Sequence, residues 1–526
     1  MNRPTRIPSW NSALAVVALP VLLFAGCSGG KIKLPTDFTP PPASYSLGAA
    51  DAGPLAVVTE RVRPRLGPGE SAFLLIDNNT EALRWRLMLI DSARESLDVQ
   101  YYFWFLDDGG ALLMDRVLAA ADRGVRVRIL LDDFNLEGAV DDELGKIFEQ
   151  HPNIRIKIFN PVKARSSILG SAGEFLTSMR RLNQRMHNKM IVADGHLALV
   201  GGRNQADQYW GLGEVFNNVD LDLLAAGPVL EQCEEAFDLY WNHELSFPIS
   251  VLEYPVTPAQ LEKVREEIAL DVKQNQDVLA AFTGELGNWS ERLDRLPDRL
   301  IPGKAKMMYD LPATDRRSRP TQLYEALDRG VGQTIQEELV IVSAFFVPQQ
   351  EFVDETLTAV DRGVKVKILT NSLASNRGTV SHAGYQRYRR ALLLAGAELY
   401  ELRPDAADKP DYETPPRQGA SVAVHSKAFV VDRRHAFVGS LNLDPRAVMM
   451  NTESGILVDS EELAAKVLEA IERNMTLDNS WQVRLNDRKK VEWVSEGEVL
   501  HKEPVRDGTQ RFLVWMTGAL ANENWL

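Results

Sequence analysis

The sequence predicts an α/β protein made of two similar lobes, each a mainly parallel β-sheet flanked by helices, related by a pseudo-two-fold axis with one site between them. Three observations predict it. Apolar residues alternate along the chain between a period of two and a period near 3.6, the marks of strands and helices. A strand–helix–strand stretch early in the chain returns later in almost the same letters. A short polar motif then follows each of these stretches at nearly the same distance.

The first residues belong to neither lobe. Arg3 and Arg6 precede the apolar run "ALAVVALPVLLF", which closes with "LFAGC" at Cys27. The run is too short, and too interrupted by Pro20, for a comfortable membrane span. It resembles a bacterial lipoprotein signal, with cleavage after Gly26 and lipid on the Cys27 thiol. Phe24 stands where such signals more often carry Leu. Ser28, in place of an inner-membrane retention Asp, points to the outer membrane, with the chain lipid-anchored and facing the periplasm. Residues 27–70, rich in Pro, Gly and Ser, read as a tether that does not pack.

Lobe 1 is expected over 71–255. "ESLDVQYYFWF" reads as a buried strand, "ALLMDRVLAAADRG" as a helix ended by Gly124, and "VRVRILLDD" as an alternating strand. Together they make a βαβ unit. Residues 256–321, with "LEKVREEIALDV", read as a charged helical connector. Lobe 2, over 322–479, repeats the unit as "EELVIVSAFFV", "FVDETLTAVDRG" and "VKVKILTNS". "ADRGVRVRIL" and "VDRGVKVKIL" lie 239 positions apart, and His187 and His425 lie 238 apart, so the register holds to one residue. Residues 480–526 form a tail whose "FLVWMTGALANENWL" reads either as a helix packed on the body or as an amphipathic bilayer contact.

The motifs are "HNKMIVADGHLALVGGRN" and "HSKAFVVDRRHAFVGSLN", both H-x-K-x4-D-x6-G-[GS]-x-N. One copy arises by chance in on the order of one chain of this length in 10^5, so two in register exclude coincidence. His187 with Lys189, and His425 with Lys427, sit two apart and are expected on one face of a strand. Small residues then allow a close turn that presents Asn204 or Asn442 as a donor. Pooled between lobes, two imidazoles, two ammonium groups and two amides suit an anionic phosphodiester. The lysines neutralise charge, so the chemistry needs no metal. One neutral histidine attacks phosphorus, while the other, protonated, donates to the leaving oxygen and then activates the acceptor. Asp220 and Glu453, each a short distance past its lobe's motif, are candidates to accept an Nδ1–H and fix the tautomers. Asp194 and Asp432 complete the six-residue candidate catalytic set; they fall at strand ends and read as scaffold acids.

The remaining histidines, His151, His196, His243, His382, His435 and His501, have no counterpart in the other lobe and read as surface or capping residues. Two cysteines, Cys27 and Cys233, rule out a disulfide scaffold or a Cys-ligated zinc site. Cys233, within a helical pattern, reads as a structural thiol. A net charge of -14 argues against a chain whose main task is gripping nucleic acid, although Arg180, Arg181 and Arg185 form a small basic cluster near the first motif.

These motifs resemble the signature of the phospholipase D (HKD) superfamily, over nearly the whole mature chain. "SLDVQYYFW", "RLNQRMHNK", "GGRNQADQYWG" and "VGSLNLDPRA" are closer still to bacterial cardiolipin synthases of the C type. The resemblance implies two phospholipase D-like lobes around a cleft, a phosphohistidine intermediate, His187 as nucleophile and His425 as acid. It implies transfer of a phosphatidyl group onto phosphatidylglycerol from a second phospholipid, which phosphatidylethanolamine could also supply. A monomer suffices, because one chain carries both motifs. Cardiolipin synthases are commonly held by transmembrane segments, so the lipoprotein signal is a departure that leaves the donor and acceptor lipids open. Hydrolytic phospholipase D shares the first half-reaction and remains the alternative, with a nuclease or a silent lipid-binding lipoprotein behind it. Tyr101, Tyr102, Phe103 and Trp104 read equally well as an acyl-facing wall or as a buried strand.

Overall fold

The computed structural model describes residues 41–133, 142–161, 184–251, 256–312, 321–330, 332–376 and 378–520. The signal peptide, Cys27, Arg180 and Arg181 lie outside the described residues. Lobe 1 contributes β1 (Glu70–Ile76), β2 (Ser96–Tyr101), β3 (Arg126–Asp132), β4 (Ile154–Phe159), β5 (Met190–Ala193), β6 (Leu197–Gly201), β7 (Asn217–Val219), β8 (Asp222–Ala226) and β9 (Ser246–Pro248). A strand in the connector, β10 (Ile301–Tyr309), follows. Lobe 2 contributes β11 (Glu338–Ser343), β12 (Lys365–Asn371), β13 (Glu398–Leu402), β14 (Val422–Val424), β15 (Lys427–Val431), β16 (His435–Gly439) and β17 (Ser454–Asp459). The tail adds β18 (Ser480–Leu485), β19 (Val491–Ser495) and β20 (Glu498–Leu500).

Eighteen of these strands form one continuous sheet, in the order β9-β4-β3-β2-β5-β6-β8-β1-β10-β17-β16-β15-β11-β12-β13-β18-β19-β20. The two-lobed α/β architecture is the one expected, but within this sheet parallel pairing is confined to β2–β3–β4 and β11–β12–β13. Each is a βαβ unit whose helix, Asp108–Asp122 or Gln350–Asp361, crosses between parallel neighbours. The motifs form the β5–β6 and β15–β16 hairpins, and short turns can join only antiparallel strands, so each sheet is mixed.

The connector does more than link. β10 pairs with β1 of lobe 1 and β17 of lobe 2, joining both sheets through its backbone. The helical reading of 256–321 missed it because "IPGKAKMMY" begins with Pro and Gly and alternates only at its end. One face of the joined sheet is covered by the helices Val229–Trp241 and Glu461–Arg473, whose Cys233, Phe237, Leu463, Val467 and Ile471 share a core with Val200, Val430 and Val458. Burying each such large side chain stabilises the fold by about 1.5–3 kcal/mol. Cys233 is fully buried and its thiol is pushed up to about 12 by that burial, as befits a structural residue.

The tether reading fails for residues 41–70. Pro54–Val62 is a helix whose Leu55, Val58 and Val62 form an apolar stripe buried in lobe 1. Upstream, the Ser44 carbonyl and Ser46 hydroxyl accept from Arg128, which is 1 % exposed and also bonds Asp98 and Asp238. A buried guanidinium needs all of these acceptors, so it recruits the passing chain. His151, His196 and His382 are likewise buried rather than superficial: His151 bonds Asp122, His196 bonds Thr59 and the Ala50 carbonyl, and His382 pairs with Glu503. Among the described residues no helix is long and apolar enough to cross a membrane.

Asp194 and Asp432 occupy the hairpin turns with left-handed φ of 52° and 49°. Asp194 accepts from the N–H groups of Arg94, Glu95 and Ser96, and Asp432 from those of Gln336, Glu337 and Glu338. Each therefore ties its hairpin to the segment entering β2 or β11, which is the scaffold role read from the sequence. Asp194 is 1 % exposed, whereas the N–H groups of Gln336 and Glu337 face solvent. Asp194→Ala should therefore cost about 2–4 kcal/mol by leaving buried donors unpaired, and Asp432→Ala about 1 kcal/mol. Denaturant midpoints of the two variants check the ranking; equal losses would refute it.

Candidate active site

The residues preceding β5 and β15 do not stay in their own lobe. Met186 bridges to Thr452, and the His187 N–H donates to the Thr452 carbonyl at 2.8 Å. Across the pseudo-two-fold, β14 pairs in parallel with β7, and the His425 N–H donates to the Val219 carbonyl at 2.8 Å. The residue after each acceptor is an acid, Glu453 or Asp220. Each carboxylate consequently meets the histidine of the opposite lobe. His187 Nδ1 lies 2.8 Å from Glu453 Oε2, and His425 Nδ1 lies 2.6 Å from Asp220 Oδ2. The sequence offers both acids as candidates; the exchange between lobes is a product of the fold.

The lysines repeat the symmetry. Lys189 Nζ donates to the His187 carbonyl at 2.6 Å, while Lys427 Nζ donates to the His425 carbonyl and lies 2.9 Å from its Nδ1. His187 and Lys189 precede β5, and His425 precedes β15, which begins at Lys427. They form the strand mouths instead of the strand interiors expected. Asn204 donates to the Tyr209 hydroxyl at 3.1 Å, and that hydroxyl lies 3.3 Å from His425 Nε2. Asn442, two residues past Ser440, accepts from the Phe345 N–H at 3.4 Å. Asp194 and Asp432, at the far ends of the same strands, take no part here.

Tyr209, Asp132 and Asn371 escaped sequence reasoning, and Tyr102 reads from the sequence only as an acyl-facing wall or a buried strand. The Tyr209 ring meets His425 edge-on with centroids 5.0 Å apart, and Tyr102 meets His187 in the same way at 5.0 Å. Tyr101 and Trp104, by contrast, are buried in the strand and its end. Asp132, at the end of β3, accepts from the Met186 N–H at 2.7 Å and pairs with Arg185. Asn371, at the end of β12, does the matching work, accepting from the Val424 N–H and donating to the Val424 carbonyl, each at 2.8 Å. The matching positions in "LLDD" and "LTNS" carried that signal.

The two acids sit in unlike beds. Asp220 lies against Gly202, where a Cβ would come within 2.3 Å of its Oδ1. Glu453, one methylene longer, receives the Ser440 hydroxyl at 2.5 Å. Burial pushes Glu453 up to about 8, above the pull of Lys189. Burial also raises Asp220, but His425 and Lys427 outweigh it and hold that carboxyl well below its usual range. The two carboxyls are thus driven in opposite directions, Asp220 toward the anion and Glu453 toward the neutral acid. Burial, reinforced by the lysines, depresses both histidines: His187 falls well below its usual value and His425 to about 3. Burial brings Lys189 to about 7 and Lys427 to about 8. With Nδ1–H facing a carboxyl oxygen, each ring carries its lone pair on Nε2, which on His425 lies within reach of the Tyr209 hydroxyl. Among the described residues no cluster of three or more His, Cys, Asp or Glu side chains could hold a metal ion.

Residues 87–241 and 333–475 match the family model described as "Cardiolipin synthase, PLD-like domain". The chain is 36% identical to cardiolipin synthase C of Escherichia coli over 87% of its length and 97% of that protein. It is 30% identical to an uncharacterized protein of Helicobacter pylori over 93% of its length and 94% of that protein. The crystal structure of phosphatidylserine synthase from Haemophilus influenzae superposes with a TM-score of 0.56, at 16% identity, over 89% of this chain and 100% of that one. The last similarity is one of fold.

Two predictions come from the asymmetry. Asp220→Asn removes the charge behind His425 and should lower kcat by about 10^2–10^4-fold, whereas Glu453→Gln, replacing a neutral acid by a neutral amide, should lower it about tenfold or less. Equal losses in steady-state assays would show that both acids act as anions. Between pH 7 and 9 Lys189 and Lys427 lose charge and Glu453 gains a negative one, so every titration makes the site less positive. KM for an anionic phosphodiester should therefore rise across that window. A pH series on a soluble short-chain substrate that shows constant KM would refute it.

Proposed function

The chain belongs to the phospholipase D-like, cardiolipin synthase family, and from that membership we propose that it is a phosphatidyltransferase making cardiolipin from phosphatidylglycerol and a second phospholipid. The observation that supports this most is the pair of buried histidines, each backed by a carboxyl group from the opposite lobe and flanked by a lysine. That arrangement supplies one nucleophile and one proton carrier to a single phosphodiester.

In this reading His187 Nε2 attacks phosphorus of the donor lipid. The P–O bond to the headgroup alcohol breaks, and His425 gives that oxygen a proton. A phosphatidyl–His187 intermediate remains. His425 then takes the proton from a hydroxyl of phosphatidylglycerol, whose oxygen attacks phosphorus and releases His187. Lys189, Lys427, Asn204 and Asn442 bind the non-bridging oxygens and stabilise the charge that grows there. The roles are assigned from the acids. The anionic Asp220 favours an imidazolium at His425, as a general acid requires, while the neutral Glu453 leaves His187 uncharged for attack. Burial first, and then the two lysines, lower the proton affinity of His425 in the free site, and incoming phosphate offsets the lysines.

The lobes are taken as 71–255 and 322–479, and the chain as anchored in the bacterial envelope through lipid on Cys27, facing the periplasm from the outer membrane. Phosphatidylglycerol is the acceptor, with phosphatidylglycerol or phosphatidylethanolamine as donor, and one chain completes the site.

Detergent-solubilised protein incubated with phosphatidylglycerol, alone and with phosphatidylethanolamine, should yield cardiolipin by lipid mass spectrometry. His187→Ala and His425→Ala should each abolish it, a loss of at least about 10^3-fold. Phosphatidic acid without cardiolipin would make the enzyme a hydrolase, and product retained in either variant would refute the two-histidine mechanism.

A further inference from the structure

We infer that the C-terminal helix, Gly508–Leu520, is a membrane-contact element that seats the rim of the active-site cleft on an anionic phospholipid surface; this deepens the proposed function and rests on it. Phe512 and Trp515 are 57 % and 68 % exposed, and they are the only exposed Phe or Trp among the described residues. They stand one helical turn apart with ring centroids 6.0 Å from each other. The helix is nevertheless firmly held. Val514 is buried with Leu373 and Ala383, the Gln510 amide donates to the Leu373 carbonyl at 2.5 Å, and Arg387 donates to the Gly518 carbonyl at 2.7 Å. The lead-in segment is pinned by Glu503, which pairs with His382 and Arg389. A fixed helix that leaves its two largest apolar side chains in water presents them to a partner.

Place and charge identify that partner. Leu373 lies two residues past Asn371, the residue that holds Val424 beside His425. Thus the helix begins at the end of the lobe 2 sheet where the site lies. Val380, 41 % exposed in the first turn of the adjoining helix Thr379–Leu394, adds apolar surface to the same rim. That helix and residues 502–520 together carry six Lys or Arg against two acids, Glu503 and Asp507, in a chain whose net charge is -14. Arg389 and Glu503 pair with each other inside, which leaves five Lys or Arg against Asp507 alone. Exposed Trp and Phe among cations match the interfacial zone of an anionic bilayer, which holds aromatic rings at headgroup depth and attracts basic side chains. Docked there, the cleft meets lipid headgroups without extracting a whole lipid into water.

A Trp515→Cys chain carrying bimane, itself a flat apolar ring, tests the contact in a Cys27→Ser background that leaves only the buried Cys233. Vesicles of phosphatidylglycerol should blue-shift the label, and brominated acyl chains should quench it by about half or more. Vesicles of phosphatidylcholine should do so several-fold less. A bimane at Leu270→Cys, exposed on the connector helix Pro258–Gln274, should respond to neither. In parallel, Phe512→Ser with Trp515→Ser should raise KM on phosphatidylglycerol vesicles by about tenfold and leave turnover of detergent-dispersed lipid unchanged. Equal response at 515 and 270, a response indifferent to lipid charge, or an unchanged KM on vesicles would overturn the inference. So would a blue shift that grows with protein concentration without vesicles, which assigns the face to a second copy. Quenching needs no catalysis, so an inactive wild-type chain would count against the phosphatidyltransferase reading alone.

Discussion

The two hydrogen bonds that carry each motif into the opposite lobe, His187 N–H to Thr452 and His425 N–H to Val219, are the constraint on which the site depends. In each case the next residue is the acid, so the backbone bond and the imidazole–carboxyl bond come as one unit. A displacement of either strand would part a histidine from its acid and leave a buried backbone donor without an acceptor. Neither lobe alone assembles a histidine with its carboxyl partner. β10, hydrogen-bonded to β1 and β17 at once, fixes the spacing between the lobes from the other side.

Within that symmetric frame the substitutions are directional. In the two repeats Gly202 corresponds to Ser440, Asp220 to Glu453, and Asp132 to Asn371. Gly202 is obligatory because the short Asp220 draws its carboxylate onto the backbone there. Glu453 reaches one bond further and leaves room for the Ser440 hydroxyl, a neutral donor that suits a neutral acid. Two rings that begin chemically alike thus acquire different second partners, and a difference of that kind separates an acid from a nucleophile.

Much of this was legible in the chain. The duplicated motif gave the paired histidines and lysines, the near-identical βαβ strings gave the two lobes, and Asp220 and Glu453 stood out as acids just past each motif. What a linear reading lacked was the third dimension. Spacing cannot say that Glu453 serves His187, because that pairing is set by Thr452 bonding across the lobe boundary. Tyr209 sits five residues past Asn204 in an aromatic stretch with no periodic signature, and its contact with His425 arises from the turn. The 41–70 segment looked like a linker because Pro, Gly and Ser dominate it; the short stripe Leu55, Val58, Val62 and the needs of buried Arg128 override that composition. β10 was hidden by its Pro–Gly start.

The free site holds its charges under tension. Two lysines and two histidines share a buried space with one firmly anionic carboxylate, and burial answers by lowering the proton affinity of all four bases. A phosphodiester brings the missing negative charge. Its arrival favours protonation of both lysines and of His425, which Asp220 already supports, while His187 faces a carboxyl group with no charge to offer. In the proposed mechanism, binding an anion and arming His425 as the general acid are therefore one electrostatic event, and an uncharged ligand of similar shape would not trigger it. Under that mechanism His425 is neutral in the free site and still acts as the acid, because the proton is acquired with the substrate, in the protonation state that the substrate stabilises.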